Sequence, residues 1–317
     1  MTYLQLVAGF IYLLMGGDLL VRGAVGLARK LQIPPVVVAA TVVGFGTSLP
    51  ELVVSVQATF SGVPGLILGN VVGSNIANVL LVGGASAAVY PLVYEDRAVR
   101  RNVVIMILAT MAFSAFTVMG EIDRVMGGVL LGSFFLLMAA TARSTLRAQK
   151  EVDASTPLDW VLGLPSRKGT ITVFILGGVI MLPVGAQLLV DSAVEIAQTL
   201  QVPEPVIGLT VLAIGTSLPE LTTTVLAALE QREDVAVGTI VGSNTFNLLT
   251  IMGVTALLSP QPILVSNRFI TLDVPVMIAS SVLLAAFAWK ARPIGRFVGV
   301  AMLLVYAAYL GALYTLV

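Results

Sequence analysis

The heptapeptide Gly-Thr-Ser-Leu-Pro-Glu-Leu occurs at Gly46–Leu52 and again, 169 residues later, at Gly215–Leu221. The same offset, without a gap, sets Pro34 on Pro203, Thr41 on Thr210, Gly73-Ser74-Asn75 on Gly242-Ser243-Asn244 and Asn78 on Asn247. Gly16 falls on Gly185 and Gly84 on Gly253. Seven consecutive identities with aligned flanks do not arise by chance in a biased apolar sequence. The chain is therefore a duplication, and its two halves must share one fold.

Composition says what kind of fold is duplicated. Of the 317 residues 57% are hydrophobic and only 11% charged, whereas about a quarter are charged in a soluble domain. A membrane-spanning helix needs ~20 mainly apolar residues. Ten such stretches can be placed, at about 3–29, 35–60, 64–91, 101–119, 124–146, 170–199, 204–229, 234–259, 268–289 and 295–316, numbered here as spans one to ten. The first is too long for a signal-peptide core of ~7–15 residues and lacks a basic flank, so it reads as a retained span. The expected fold class is an all-α integral membrane protein, with a first repeat over 1–146, a linker over 147–168 and a second repeat over 169–317. Five spans per repeat is an odd number, so the second repeat must enter the membrane from the opposite side. Inverted repeats of this kind characterise secondary transporters, which bind their substrates near the midplane.

Loop charges test the count independently. On the linker side lie Arg29, Lys30, Arg97, Arg100, Arg101, Arg143, Arg147, Lys150, Arg167, Lys168, Arg232, Lys290, Arg292 and Arg296; the other side has only Arg124 and Arg268. The positive-inside rule then makes the linker cytoplasmic and both termini extracytoplasmic, in a plasma or inner membrane.

The chain has no Cys and no His. That excludes disulfides and thiol chemistry, and it removes the usual general base, the commonest zinc ligand and the obvious pH switch. A net charge of zero gives no electrostatic footprint for nucleic acid. The remaining donors are carboxylates, amides, hydroxyls and carbonyls, hard ligands suited to Na+, Ca2+ and Mg2+. Glu51 and Glu220 each sit inside an apolar span, where a carboxylate costs several kcal/mol unless it has a partner. Pro50 and Pro219 precede them and have no N–H for the carbonyls of Gly46 and Gly215, so spans two and seven should break there. Thr47, Ser48, Thr216 and Ser217 lie within a turn of the glutamates. In spans three and eight, Ser74 and Asn78, like Ser243 and Asn247, are four apart and share a helix face. Glycines 65, 69, 73, 83 and 84, then 238, 242 and 253, should let these spans pack closely on spans two and seven. Asp18 and Arg22 are spaced to pair with each other, and Asp191 and Glu195 to be solvated near the outer end of span six.

At these residues the sequence resembles the cation/calcium exchanger superfamily, in its prokaryotic Na+/Ca2+ exchanger branch, over essentially the whole chain. The Gly-Thr-Ser form at 46–48 and 215–217 is similar to the sodium-coupled branch; proton-coupled relatives carry Gly-Asn there. The resemblance implies ion ligation by Thr47, Ser48, Glu51, Ser74 and Asn78, by Thr216, Ser217, Glu220 and Ser243, and by the carbonyls of Gly44 and Ala213. Asn247 stands where many members have Asp, which leaves two carboxylates and argues against K+ co-transport. Ca2+ and Na+ are implied as transported substrates, with no tightly bound cofactor and no partner beyond lipid. The alternatives are an H+/Ca2+ antiporter on the same fold and a passive cation channel.

Overall fold

The computed structural model describes residues 2–93, 97–148, 164–200, 213–290 and 292–315. Among them, eight helices are long and apolar enough to cross a membrane; the pair Pro35–Thr47 and Leu49–Phe60, bent by 45°, makes a ninth. Span seven is represented by Ala213–Gly215 and the helix Leu218–Leu229; its first part, with Thr210, lies outside the described residues, as does 149–163 of the linker. Large apolar side chains such as Trp289, Phe297, Val125 and Leu136 stand on the outer surface. A water-soluble chain would hide that surface, and here it faces lipid, so the protein is a multi-pass membrane protein.

The spans form an inner and an outer layer. Span eight, Glu233–Leu258, is buried throughout its most apolar stretch, and span three, Pro64–Val89, over two thirds of it (67%). Spans one and six, Thr2–Leu31 and Lys168–Thr199, lie outside this core as a long antiparallel pair. Their contact runs along glycines: a Cβ on Gly9 would lie 2.9 Å from the Gly185 carbonyl oxygen, and one on Gly178 2.7 Å from that of Gly16. Rising numbers on one helix meet falling numbers on the other, so these repeat counterparts run in opposite directions.

Local irregularities also recur at the repeat offset. Span two breaks at Ser48 and span seven at Ser217, each directly before a helix whose first turn holds the proline and the glutamate. Spans three and eight each pass into a π-helical turn, Asn78–Gly83 and Asn247–Ile251. Such turns leave carbonyls outside the regular ladder and concentrate at functional sites. Among the glycines, Gly238 and Gly242 do face the backbone of span two, at Val36 and Ala40. Gly84 and Gly253 depart from the expectation, because they seat spans three and eight against Gly299 of span ten and Leu131 of span five. For Gly65, Gly69 and Gly73 the counterpart stretch of span seven lies outside the described residues.

Candidate ion-binding site

The two breaks bring the glutamates into the core. Glu51 and Glu220 are 0% and 1% exposed, and each sits in the first turn of its helix, where free backbone N–H groups favour a negative charge. Glu51 Oε1 accepts a hydrogen bond from Ser74 Oγ at 3.1 Å, within the first repeat. Glu220 Oε1 accepts from Ser48 Oγ at 2.9 Å, across the repeats, and from Ser243 Oγ at 3.4 Å. Ser243 Oγ also lies 3.3 Å from Thr47 Oγ1 and 3.4 Å from the Gly44 carbonyl oxygen. The second oxygen of each carboxylate, Oε2, is buried without a hydrogen-bond partner.

Gly44 makes this junction possible. A Cβ there would lie 2.9 Å from the Ser243 nitrogen and 3.0 Å from the Gly242 carbonyl carbon, so spans two and eight touch backbone to backbone. Asn78 lies across from Asn244 and donates from Nδ2 to its Oδ1 at 3.1 Å. Asn78 Oδ1, Ser217 Oγ and both amide atoms of Asn247 are buried and unpartnered. The contacts fall into three groups: Thr47 and Ser48 with Glu220 and Ser243 across the repeats, Glu51 with Ser74 within the first repeat, and Asn78 with Asn244 across the repeats. Ser217 and Asn247 are buried nearby in the chain; Thr216 is partly exposed in the turn, and the backbone of Ala213 opens the short helix before it. Among the described residues, no three Asp or Glu side chains cluster as a metal site. The two carboxylates are supplemented by neutral oxygens, a mixture that suits hard cations.

Asp18 and Arg22 pair as expected, at 2.8 Å. Asp191 is exposed and accepts from Gln187 at 2.7 Å, and Glu195 accepts from Thr2 at 2.6 Å, so neither joins the site. Sequence reasoning overlooked Asn70, whose Nδ2 donates to the Glu51 carbonyl at 2.9 Å and to Ser55 Oγ at 2.8 Å. Asn70 falls on Thr239, so the repeat gave no signal for it. Asn244 was also missed as a functional residue, although it stands in the duplicated Gly-Ser-Asn.

Breaks, π turns and buried carboxylates shared between two repeats define a membrane carrier for cations, not an enzyme. The comparisons agree. The sequence profile of the sodium/calcium exchanger protein family matches residues 1–142 and again 170–315, and the chain belongs to that family. It is 34% identical to inner membrane protein YrbG of Escherichia coli, over 98% of this chain and 96% of that one. To the sodium/calcium exchanger MaX1 of Methanosarcina acetivorans it is 30% identical, over 99% and 98%. A solved structure of the sodium-calcium exchanger NCX_Mj, soaked with Na+ and Sr2+, superimposes with a TM-score of 0.83 at 31% identity, covering 98% of this chain and 99% of the other.

Proposed function

We propose that this protein is a secondary active antiporter that exchanges Na+ for Ca2+ by alternating access at the site between its two repeats. One observation carries the reading: each repeat contributes a buried carboxylate with one oxygen held by a serine and the other unpartnered. Glu51 Oε2, Glu220 Oε2, Asn78 Oδ1, Asn247 Oδ1 and Ser217 Oγ supply oxygens with no competing hydrogen bond. The hydroxyls of Thr47, Ser48, Ser74, Thr216 and Ser243 and the carbonyls of Gly44 and Ala213 bring the donors above the 6–8 oxygens that one Ca2+ takes, leaving ligands for Na+ as well. The names and lengths of the relatives MaX1 and NCX_Mj, matched over nearly the whole chain, support the choice of ions. So does Gly-Thr-Ser in both motifs.

Coupling follows from the electrostatics. Two carboxylates in a dry site repel each other, and one Ca2+ or two Na+ neutralise both. A loaded carrier crosses between inward- and outward-facing states without dragging bare charge through a low-dielectric path, and an empty one does not. If more than two Na+ move per Ca2+, the cycle carries net charge and responds to voltage. The loop charges support a cytoplasmic linker and extracytoplasmic termini in an inner membrane. The chain is organised as two transmembrane repeats, 1–146 and 169–317, joined by the linker 147–168.

The test is radiolabelled Ca2+ uptake into Na+-loaded proteoliposomes diluted into Na+-free or Na+-containing buffer. Uptake is expected only with an outward Na+ gradient and is expected to be abolished in both Glu51→Gln and Glu220→Gln. Uptake that ignores Na+ and follows an imposed pH gradient would replace Na+ by H+ as the coupling ion. Flux with no counter-ion requirement would make the protein a channel.

A further inference from the structure

An amide can ligate a cation only through its oxygen; turned by 180° it presents an NH2 group, which repels the ion. Something must therefore fix the amide of Asn78, which is fully buried in the first repeat's half of the site. The structure holds a chain of contacts with one possible polarity. It starts at the backbone carbonyl of Asn75, which can only accept. Asn244 Nδ2 donates to that carbonyl at 3.3 Å, and its other near neighbour, Met106 Sδ at 3.8 Å, is also an acceptor. With its nitrogen committed there, Asn244 presents Oδ1 to Asn78, which donates to it from Nδ2 at 3.1 Å. Asn78 Oδ1 is left facing away from that bond, buried and unpartnered.

The repeat counterpart has no such chain. Asn75 corresponds to Asn244, yet its Nδ2 donates to the Val71 carbonyl of its own helix at 2.6 Å, and its Oδ1 has no partner. Asn247, the counterpart of Asn78, has neither amide atom bonded.

We propose that Asn244 is a positioning residue for cation binding: it transmits the polarity of the Asn75 carbonyl across the repeat interface and holds the Asn78 oxygen toward the ion. The inference rests on the exchange function proposed above. Asn244 touches no ion itself, and its role is one-sided. The first repeat's amide is a committed oxygen ligand, while the Asn247 amide is free to turn.

The experiment measures thermal unfolding of the purified protein in detergent, with Ca2+ and with EDTA, together with the half-saturating Ca2+ for Ca2+–Ca2+ exchange in proteoliposomes. A residue that only packs lowers both unfolding temperatures equally. Asn244→Ala is expected to shrink the Ca2+-dependent rise and to weaken half-saturation about tenfold, the effect of one lost charge-assisted contact. Asn75→Ala, the counterpart, is expected to leave both unchanged. In the N78D background both ends of the side chain are oxygen, so adding Asn244→Ala is expected to cost little further affinity. Asn244→Ser carries the same expectation and serves where the alanine variant does not fold. Unaltered Ca2+ stabilisation in Asn244→Ala or Asn244→Ser, or an equal loss with and without N78D, overturns the assignment to Asn244. A wild-type protein that Ca2+ does not stabilise overturns the exchange reading, and this one with it.

Discussion

The two halves of the site carry the same motif but are not built the same way. Glu51 is held from within its own repeat, by Ser74, and its backbone carbonyl is braced by Asn70. Glu220 is held from the other repeat, by Ser48, with Ser243 of its own repeat further off. Position 44 is Gly and its counterpart, 213, is Ala. Span two can therefore press its backbone onto span eight, whereas the sequence of span seven has alanine at the matching position. The lesson is that duplication sets which residue types enter the site but not which partner each finds: Ser48 holds a glutamate, while its counterpart Ser217 has no partner.

The largest expected effect comes from that glycine. In Gly44→Ala the new methyl meets backbone at 2.9 and 3.0 Å, which cannot give way as a side-chain tip does, so span two must move off span eight. Overpacking of this kind costs about 1–3 kcal/mol, and it displaces Ser243 from Thr47 and Glu220 at once. Loss of Na+-driven Ca2+ uptake and a lower unfolding temperature are expected. Ala213→Gly in the other half should cost only about 0.5–1 kcal/mol, the usual helix penalty. Equal damage from both changes would mean that the halves are gripped alike.

The serine pair comes next, because losing one hydroxyl leaves the contact between spans two and eight in place. Ser48 donates to Glu220, and a hydrogen bond to a charged group contributes about 1.5–3 kcal/mol. Ser48→Ala is therefore expected to destabilise the ion-free protein by about that amount. Ser217 Oγ has no partner, so Ser217→Ala should leave ion-free stability unchanged and lose only part of the stabilisation that Ca2+ confers. Calorimetry with and without Ca2+ separates the two. If Ser217→Ala also destabilises the ion-free protein, the asymmetry is confined to Gly44.

Much of this was legible in the sequence, because the bilayer leaves few solutions. A carboxylate after a proline in an apolar span signals a broken helix, and the sequence carries that signal twice, at Glu51 and Glu220. The breaks at Ser48 and Ser217 fall where Pro50 and Pro219 put them. The contacts between halves were not legible. Ser48 reaching Glu220 instead of its own Glu51, and Asn244 turning the amide of Asn78, depend on how spans two, three and eight cross. Helical periodicity gives the face of each span but not the face it meets. Asn70 escaped for the opposite reason, since comparing the halves discards whatever occurs only once.

The smallest effect lies at the end of span seven, where the halves differ in charge. Glu230, just past Leu218–Leu229, falls on Ser61, and Asp18 on Gln187, so of the two repeat-related contacts only that between spans one and seven sets two acidic side chains together. Glu230 is half-buried; that burial, and Asp18 opposite it, raise its pKa above the ordinary carboxylate value, against the lowering pull of Arg22 and Arg232. A carboxyl whose folded pKa is raised adds stability that is complete below its unfolded pKa and is lost as pH rises through the folded one. Above that range the ionised Glu230 is a small burden on the fold. Glu230→Gln should therefore stabilise the protein at pH 8, by less than about 1 kcal/mol because the site is partly solvated, and the gain should vanish as pH falls below the range of an ordinary glutamate. A Glu230→Gln protein less stable than wild type at pH 8 would show that the pull of Arg22 and Arg232 prevails. The contact between spans one and seven would then be an ion pair that its repeat-related contact, with Ser61 and Gln187, cannot form.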